Sequence, residues 1–230
     1  MKRIFITGAS RGIGRAIAER LATPETILLL HGRDRDALAK TGQLVEAKGA
    51  RTIPLLYELT DSAQIEKLVA TIGSEPLDVL INNAGIAFVK PLDSLSLEEW
   101  NKTLAVNVTA PFLLTQKLSA NMKAGAGIVN ILSVAAKTGF ANWSSYCMSK
   151  FALEGFSQSI REELRQRGIR VINIYPAATE TEIWKPIAGD WPREKMMSAN
   201  EIAEAVAYAL SRPADVAVEN ITLTKASGAL

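Results

Sequence analysis

The sequence is poor in the side chains that form disulfides and zinc sites. Its 230 residues include one cysteine, Cys147, and one histidine, His31. A single thiol excludes an internal disulfide, and one thiol with one imidazole cannot supply a zinc ligand set. The scarcity of cysteine and histidine does not exclude an ion bound by carboxylates, but we predict no metal-ligating residue.

The chain also lacks long apolar runs and a strong charge of either sign. No stretch approaches the roughly 18 continuous apolar residues of a membrane-spanning helix, and the N-terminus runs into a strand pattern without a signal-type segment. The net charge is +2 with no long basic run, so there is no electrostatic footprint for nucleic acid. We expect a cytoplasmic protein with no nucleic-acid and no membrane partner.

What remains is ordinary for a globular enzyme, with 48% apolar and 22% charged residues. Short apolar runs alternate with helical patterns, which is typical of right-handed β-α-β crossovers. The sequence predicts one α/β domain over residues 1–230, with a doubly wound, mostly parallel seven-stranded sheet flanked by helices. The predicted strands are residues 4–6, 27–30, 52–56, 77–81, 127–132, 169–175 and 216–223. The first predicted helix follows the glycine-rich turn and ends near residue 21. The other predicted helices span residues 36–48, 62–72, 97–122, about 146–167 and 200–210.

Residues 178–198 interrupt this alternation, since they hold two prolines, large apolar side chains and no clear period. A long irregular connection between strand and helix favours a lid over a binding site. The alternative is a surface excursion that packs its tryptophans, Trp184 and Trp191, on its own domain. We predict the lid.

Three glycines follow the first strand directly: Gly8, Gly12 and Gly14. Glycines there permit a tight turn and let backbone amides approach a pyrophosphate, and the next helix directs its positive end at that anion. The order of strand, glycine-rich turn and helix predicts a Rossmann fold that binds a dinucleotide.

The end of the second predicted strand indicates which dinucleotide. A carboxylate there would accept bonds from the adenosine ribose and repel a 2′-phosphate, but this chain has Gly32 followed by Arg33, with Arg11 in the glycine loop. Guanidinium groups suit phosphate, so we predict NADP(H) preferred over NAD(H). Both arginines could instead be solvated charges, and Asp34 nearby weakens the argument.

Tyr146 and Lys150 stand four residues apart, a spacing that places two side chains on one face of a helix. A cation beside a phenol lowers a pKa that is ordinarily about 10, which would make the tyrosine a useful proton carrier. Ser133 adds a hydroxyl for a substrate oxygen. Alone, the pair could be an exposed helix face.

Four motifs in register resemble the classical short-chain dehydrogenase/reductase family over nearly the whole chain. The run 7–14 is similar to its cofactor loop, and Asn82-Asn83-Ala84-Gly85 to its motif after the fourth strand. Asn107, Ser133, Tyr146 and Lys150 are similar to its catalytic tetrad. The resemblance implies that Tyr146 transfers the proton, that Lys150 lowers the Tyr146 pKa and binds the nicotinamide ribose, and that Ser133 holds the substrate oxygen. Asn107 would hold a water beside Lys150.

The resemblance also implies a wider cofactor site. Glu58 and Leu59 would border the adenine, and Pro176 and Thr181 the nicotinamide amide, although Ala177 replaces the family's usual glycine. The predicted cofactor-binding residues are Gly8, Ser10, Arg11, Gly12, Ile13, Gly14, Arg33, Glu58, Leu59, Asn83, Ala84, Gly85, Tyr146, Lys150, Pro176 and Thr181.

Together these features predict an NADPH-dependent reductase of a small apolar or aromatic ketone or aldehyde. The alternatives are an NAD(P)-dependent alcohol dehydrogenase working oxidatively and a non-catalytic dinucleotide-sensing protein. The candidate substrate-lining residues are Phe88, Phe140, Trp143, Ile183 and Trp184. Family members usually pair through two long helices, so a homodimer or homotetramer is expected, but the C-terminus, residues 220–230, lacks the family's usual ending.

Overall fold

Seven parallel strands form one sheet in the computed structural model, which describes residues 1–185, 187, 189 and 191–228. The strand order is β3-β2-β1-β4-β5-β6-β7, and each neighbouring pair is parallel. The strands are β1 Lys2–Ile6, β2 Thr26–Gly32, β3 Arg51–Leu56, β4 Val79–Asn82, β5 Gly127–Ile131, β6 Arg170–Pro176 and β7 Asn220–Leu223. Because the order reverses between β1 and β4, the crevice at their carboxyl ends is the position where such sheets bind ligands.

Helices cover both faces of the sheet, as predicted. They are α1 Gly12–Leu21, α2 Arg35–Glu46, α3 Ser62–Ile72, α4 Leu97–Leu104, α5 Ala110–Leu118, α6 Ser144–Arg165 and α7 Ala199–Leu210. Apolar residues of α1, α2 and α7 form one core with the sheet, and those of α3, α5 and α6 form the other. The central strands are buried on both sides, which explains their continuous apolar runs. The predicted single-domain Rossmann fold is confirmed. No helix of the described residues is both long and apolar enough to cross a bilayer.

The last strand is shorter than predicted. The prediction began it at Val216, but β7 starts at Asn220. The amide of Val216 instead donates to the carbonyl oxygen of Pro213, 2.9 Å away, which closes a turn. Valine's preference for strands therefore gives way here to the turn that follows α7.

The predicted long helix over 97–122 is also interrupted. Between α4 and α5, residues Ala105–Thr109 form a turn of π-helix, in which the amide of Ala110 donates to the carbonyl oxygen of Ala105 five residues earlier. Such turns insert one extra residue into a helix and often occur at functional sites. Asn107 lies in the middle of this turn.

Four asparagines occupy one row across the last four strands. Asn82 is in register with Asn130, Asn130 with Asn173, and Asn173 with Asn220. The Asn82 Nδ2 donates to the Asn130 Oδ1 at 2.8 Å, and the Asn130 Nδ2 donates to the Asn173 Oδ1 at 3.4 Å. The first three side chains are buried, so these bonds provide partners for amide groups that would otherwise be costly in the interior.

The described part of residues 178–198 is closed at its base and packed on the domain. Thr179 and Met197 form an isolated parallel bridge, with the Met197 amide donating to the Ala178 carbonyl oxygen at 2.9 Å. The Trp184 indole N–H donates to the Thr179 carbonyl oxygen at 2.8 Å. Three residues of the predicted lid, Pro186, Ala188 and Asp190, lie outside the described residues.

Candidate active site

The glycine-rich turn connects β1 to α1 and leaves no room for larger side chains. Gly8 and Gly12 have φ values of +66° and +54°, which favour glycine. A methyl group on Gly14 would lie 2.1 Å from the Gly8 carbonyl oxygen. The chain therefore passes closely over itself at the start of α1, where the unpaired backbone amides of a helix N-terminus suit an anion. This form fits the pyrophosphate of a dinucleotide.

Thr7 and Asn83 join this turn to the end of β4. The Thr7 Oγ1 accepts from the amides of Asn83 and Ala84 at 2.9 and 3.0 Å. In return, the Asn83 Nδ2 donates to the carbonyl oxygens of Thr7 and Gly8 at 2.8 and 3.1 Å. The Asn82–Gly85 motif thus holds the glycine turn from the neighbouring strand. Thr7 was not among the predicted site residues.

Arg33 and Glu58, both predicted at the adenosine end, form an ion pair with Nη1 and Oε2 3.1 Å apart. Leu59, next in the chain, is buried in the core between the sheet and α3. Arg11 is exposed at the N-cap of α1, and the Ser10 carbonyl oxygen accepts from the Arg15 Nη2 at 2.5 Å. Two guanidinium groups thus lie on segments bordering one cleft, where they could hold a ribose phosphate.

Tyr146, Lys150 and Ser133 come together as the tetrad prediction requires. Tyr146 and Lys150 lie on one face of α6, with the Lys150 Nζ 5.6 Å from the centre of the phenol ring. This Nζ donates to the carbonyl oxygen of Ile131, the last residue of β5, at 2.8 Å. Ser133, two residues further on, places its hydroxyl beside the Tyr146 phenol.

Burial dominates the protonation of both α6 groups. It raises the pKa of Tyr146 to about 12, against a smaller opposing effect of the Ser133 hydroxyl, and it lowers the pKa of Lys150 to about 8. Desolvation thus moves the Tyr146 pKa upwards, and Lys150 is not among the influences on the phenol, so the lowering of this pKa by Lys150 stays a prediction. Tyr146 is a protonated phenol at neutral pH.

Asn107 is anchored by the π turn rather than displayed on a regular helix. Its Oδ1 accepts from the Ile86 amide and its Nδ2 donates to the Ile86 carbonyl oxygen, both at 2.9 Å. The Nδ2 also donates to the Ser149 Oγ at 3.0 Å, and that hydroxyl donates to the Tyr146 carbonyl oxygen at 2.7 Å. The side chain thus ties the segment after β4 to α6.

Gly85 lies close to two of the predicted catalytic side chains. A methyl group there would lie 3.6 Å from the Asn107 Oδ1 and 3.9 Å from the Lys150 Nζ. Two of the four predicted catalytic residues, Asn107 and Lys150, thereby lie next to the last residue of the Asn82–Gly85 motif.

Three tryptophans pack against one another, and one of them, Trp143, contacts Tyr146. The Trp143 ring lies edge-on to Tyr146, with centroids 5.5 Å apart, and contacts Trp184 and Trp191 at 5.6 and 6.1 Å. Trp184, Ile187 and Met196 are the buried members of this aromatic cluster, with Ile183, Ala87 and Val89 at its edge. The described part of residues 178–198 therefore packs on the domain through Trp143, the residue that contacts Tyr146, and its role as a lid stays a prediction.

The five predicted lining residues separate into two groups. Trp143, Ile183 and Trp184 belong to the aromatic cluster. Phe140 is 38% exposed, and Phe88 lines a groove with polar residues such as Lys90 and Glu99 on the far side of the connection to α4. Within the described residues, neither phenylalanine joins the cluster.

The segment after β6 meets the glycine turn. Pro176 ends β6, and the Thr181 methyl would lie 3.1 Å from a methyl group on Gly12. Thr181 thus faces the predicted cofactor loop. Ile13, at the start of α1, packs on the core beneath it.

A family profile described as short chain dehydrogenase matches residues 2–191. The chain belongs to this family. It is therefore an NAD(P)-dependent oxidoreductase that acts on carbonyl or alcohol groups.

Two relatives and one solved structure illustrate the similarity to other short-chain dehydrogenases. A sepiapterin reductase of Chlorobaculum tepidum is 35% identical, covering 99% of this chain and 98% of its own. A 3-oxoacyl-acyl-carrier-protein reductase of Escherichia coli is 34% identical, with 91% and 90% covered. The crystal structure of a metagenomic short-chain oxidoreductase in complex with NADP has a TM-score of 0.83 at 28% identity, with 97% and 96% covered.

Several residues of this short-chain dehydrogenase site were missed by the sequence argument. Thr7 carried a signal, since a hydroxyl directly before Gly8 at a strand end is placed to cap a neighbouring loop. The sequence has no signal for Ser149 and Ile86, because their hydrogen bonds to Asn107 depend on the π turn. His31, whose ring contacts Gly8, was noted only as the sole histidine.

Proposed function

We propose that the protein is an NADPH-dependent reductase of small apolar or aromatic ketones or aldehydes, with Tyr146 as the proton donor. The observation that carries the proposal is the convergence of three side chains: the Lys150 Nζ lies 5.6 Å from the centre of the Tyr146 ring, and the Ser133 hydroxyl lies beside the phenol. A phenol held there can donate its proton to a carbonyl oxygen, which is the proton transfer that reduction requires.

Each residue would have a defined role in the reduction of the carbonyl group. NADPH, when bound, supplies the hydride to the carbonyl carbon. The Ser133 Oγ donates to the carbonyl oxygen as negative charge develops there. Tyr146 then gives its proton to that oxygen, and Lys150 stabilises the phenolate that remains. Asn107 holds the Ile86 segment and α6 at the distance this geometry requires.

The preference for NADPH rests on charge. Arg33 and Arg11 border the predicted adenosine end, and no carboxylate stands at the end of β2 itself, where Gly32 lies. A solved relative, the metagenomic oxidoreductase, carries NADP. The Glu58 carboxylate would have to release or share Arg33 when a 2′-phosphate enters.

The aromatic cluster supports the proposed substrate class. Indole rings of Trp143, Trp184 and Trp191 stand within 4.9 to 6.1 Å of one another beside Tyr146. Aromatic rings favour offset or edge contacts with other flat rings and give such contacts extra stability. A carbonyl group on a planar or apolar skeleton fits these surroundings better than a charged sugar acid.

An NADPH-oxidation assay over a panel of ketones, aldehydes, keto esters, quinones and sepiapterin tests the proposal. Sepiapterin belongs in the panel because one relative is a sepiapterin reductase. Turnover of apolar or aromatic carbonyls that is lost in Tyr146→Phe is the expected result. NADPH binding without turnover of any panel member would contradict it and favour the dinucleotide-sensing alternative.

We also propose that the protein forms a homodimer or homotetramer. Phe112 on α5 and Phe151 on α6 are 40% and 45% exposed, and the Phe112 ring packs edge-on to Phe156 at 5.9 Å. Exposed aromatic rings on two helices that contact each other are typical of a protein interface.

A further inference from the structure

The sole histidine lies beneath the glycine turn. His31 is the sixth residue of β2, is 3% exposed, and pairs in register with Leu55 of β3. Its ring connects two segments that come from different strands. The Gly8 amide donates to its Nδ1 at 3.4 Å, and its Nε2 lies 3.0 Å from the Tyr57 carbonyl oxygen.

These partners determine the tautomer. The Tyr57 carbonyl oxygen can only accept, so Nε2 must carry the proton. The Gly8 amide can only donate, so Nδ1 must be free of one. Both contacts are satisfied together by one form of the ring, the neutral imidazole with its proton on Nε2.

The Gly8 peptide is consequently fixed from both sides. His31 holds the amide, and the Asn83 Nδ2 holds the carbonyl oxygen at 3.1 Å. The backbone of His31 adds a third contact, since its carbonyl oxygen accepts from the Ala9 amide at 2.8 Å. A turn with a positive φ at Gly8 is thereby held in the form that presents amides to the pyrophosphate.

We propose that His31 is a positioning residue of the cofactor site, whose neutral ring fixes the Gly8 turn and so sets the affinity for the dinucleotide. This inference rests on the proposed dinucleotide site but is independent of which carbonyl the enzyme reduces. His31 is not expected to touch the reacting atoms. Its loss should therefore raise the KM and Kd for NADPH and leave kcat nearly unchanged.

Two variants of His31 each retain one of the two hydrogen bonds made by the imidazole ring. In His31→Asn the amide oxygen takes the position of Nδ1 and can still accept from Gly8. In His31→Gln the longer side chain places its amide near Nε2, which keeps the Tyr57 contact and loses the Gly8 acceptor. We expect His31→Asn to bind NADPH nearly as wild type does, and His31→Gln to bind about three- to tenfold more weakly, the effect of one hydrogen bond.

The measurement is the Kd for NADPH by fluorescence titration, with kcat and KM on an active carbonyl substrate. Thermal melts first establish that each variant is folded at the assay temperature. Equal affinities for His31→Asn and His31→Gln, or weaker binding by His31→Asn alone, would overturn the assignment. Failure of the wild-type protein itself to bind NADPH would instead contradict the proposed function.

Nitrogen-15 NMR of labelled protein gives a second test that needs no variant. Since the chain has one histidine, its ring signals are unambiguous. Shifts of a protonated Nε2 and an unprotonated Nδ1 at pH 7.5 are expected. A proton on Nδ1 would contradict the proposal, because Gly8 would then face another donor.

Discussion

Arg33 and Glu58 form an ion pair at the carboxyl ends of two neighbouring strands, with Nη1 and Oε2 3.1 Å apart. Burial acts to raise the pKa of Glu58, but the bond from Arg33 and the Thr60 amide outweigh it, so the pKa lies below its usual value. The carboxylate is therefore ionised at neutral pH. It competes with an incoming phosphate for the same guanidinium.

Arg33→Ala should raise the KM for NADPH by about ten- to a hundredfold, since a hydrogen bond to a charged group contributes about 1.5–3 kcal/mol. The KM for NADH should change little, because NADH lacks the 2′-phosphate. Glu58→Gln should lower the KM for NADPH by releasing Arg33. Arg51→Ala, an exposed arginine at the opposite end of β3, is the control. Equal losses with both cofactors would contradict a phosphate-binding role for Arg33.

Tyr146→Phe should lower kcat for carbonyl reduction by at least about a hundredfold, the usual range for a general acid, with NADPH binding retained. Because the phenol pKa of about 12 keeps the proton in place, wild-type reduction should be flat from about pH 6 to 7 and should fall towards pH 8, where Lys150, with a pKa of about 8, loses its charge. Oxidation of the product alcohol needs phenolate and should rise with pH over that range. A reductive rate that increases with pH would exclude Tyr146 as the proton donor.

Asn107→Ala should lower the free energy of unfolding by about 1–3 kcal/mol, because it removes the partners of the partly buried amide and carbonyl of Ile86, and each lost hydrogen bond costs about 0.5–1.5 kcal/mol. Urea denaturation measures this change. Asn101→Ala, an exposed asparagine two turns earlier on α4, should cost less than about 0.5 kcal/mol. If the two variants had the same free energy of unfolding, the hydrogen bonds between Asn107 and Ile86 would not contribute to stability.

Much of this site was readable from the sequence because its parts depend on local patterns. Glycines after a strand imply a turn, and the spacing of Tyr146 and Lys150 implies one helix face, which α6 confirms. The π turn around Asn107 was not predictable, since its residues have no distinctive propensity and the extra residue is stabilised by tertiary bonds to Ile86. Nothing local in the sequence distinguishes Trp143 and Trp184, which join the aromatic cluster, from Phe88 and Phe140, which do not.

The protonation of the catalytic pair was the part that spacing could not supply. A cation four residues from a phenol predicts a lower pKa for Tyr146, but the pKa depends on how dry the surroundings are. Burial depends on the packing of segments distant in the chain, and it moves the Tyr146 pKa upwards. The row of asparagines across the sheet could not be predicted either, because each asparagine alone is typical of the end of a strand.

His31 should make stability depend on pH. Burial, the largest influence, lowers its pKa below the usual 6.5; the Tyr57 carbonyl and Glu58 oppose this, and Arg33 adds to it. The unfolded chain therefore takes up the proton at a higher pH than the folded one. Stability is complete above about pH 6.5 and is lost as the pH falls towards the folded pKa. The Tm should fall more between pH 7 and 5.5 in the wild type than in His31→Asn, and equal slopes would contradict this.

Phe151→Arg should shift the protein towards monomer in size-exclusion chromatography with light scattering. A guanidinium in place of an interface ring would be buried without a partner. Leu44→Arg on α2 is a matched control, because Leu44 is 44% exposed, close to the 45% of Phe151. A mass unchanged by Phe151→Arg, or reduced equally by Leu44→Arg, would place the interface elsewhere.

The row of Asn82, Asn130, Asn173 and Asn220 bears on how the sheet avoids misalignment during folding. Hydrophobic strands that are apolar on both faces can slide past one another with little penalty. A slip of one residue between β4 and β5, or between β5 and β6, would move a buried amide to the opposite face and leave it unpaired in hydrocarbon. The three buried asparagines therefore disfavour misaligned pairing of these strands, whose carboxyl ends border the predicted site.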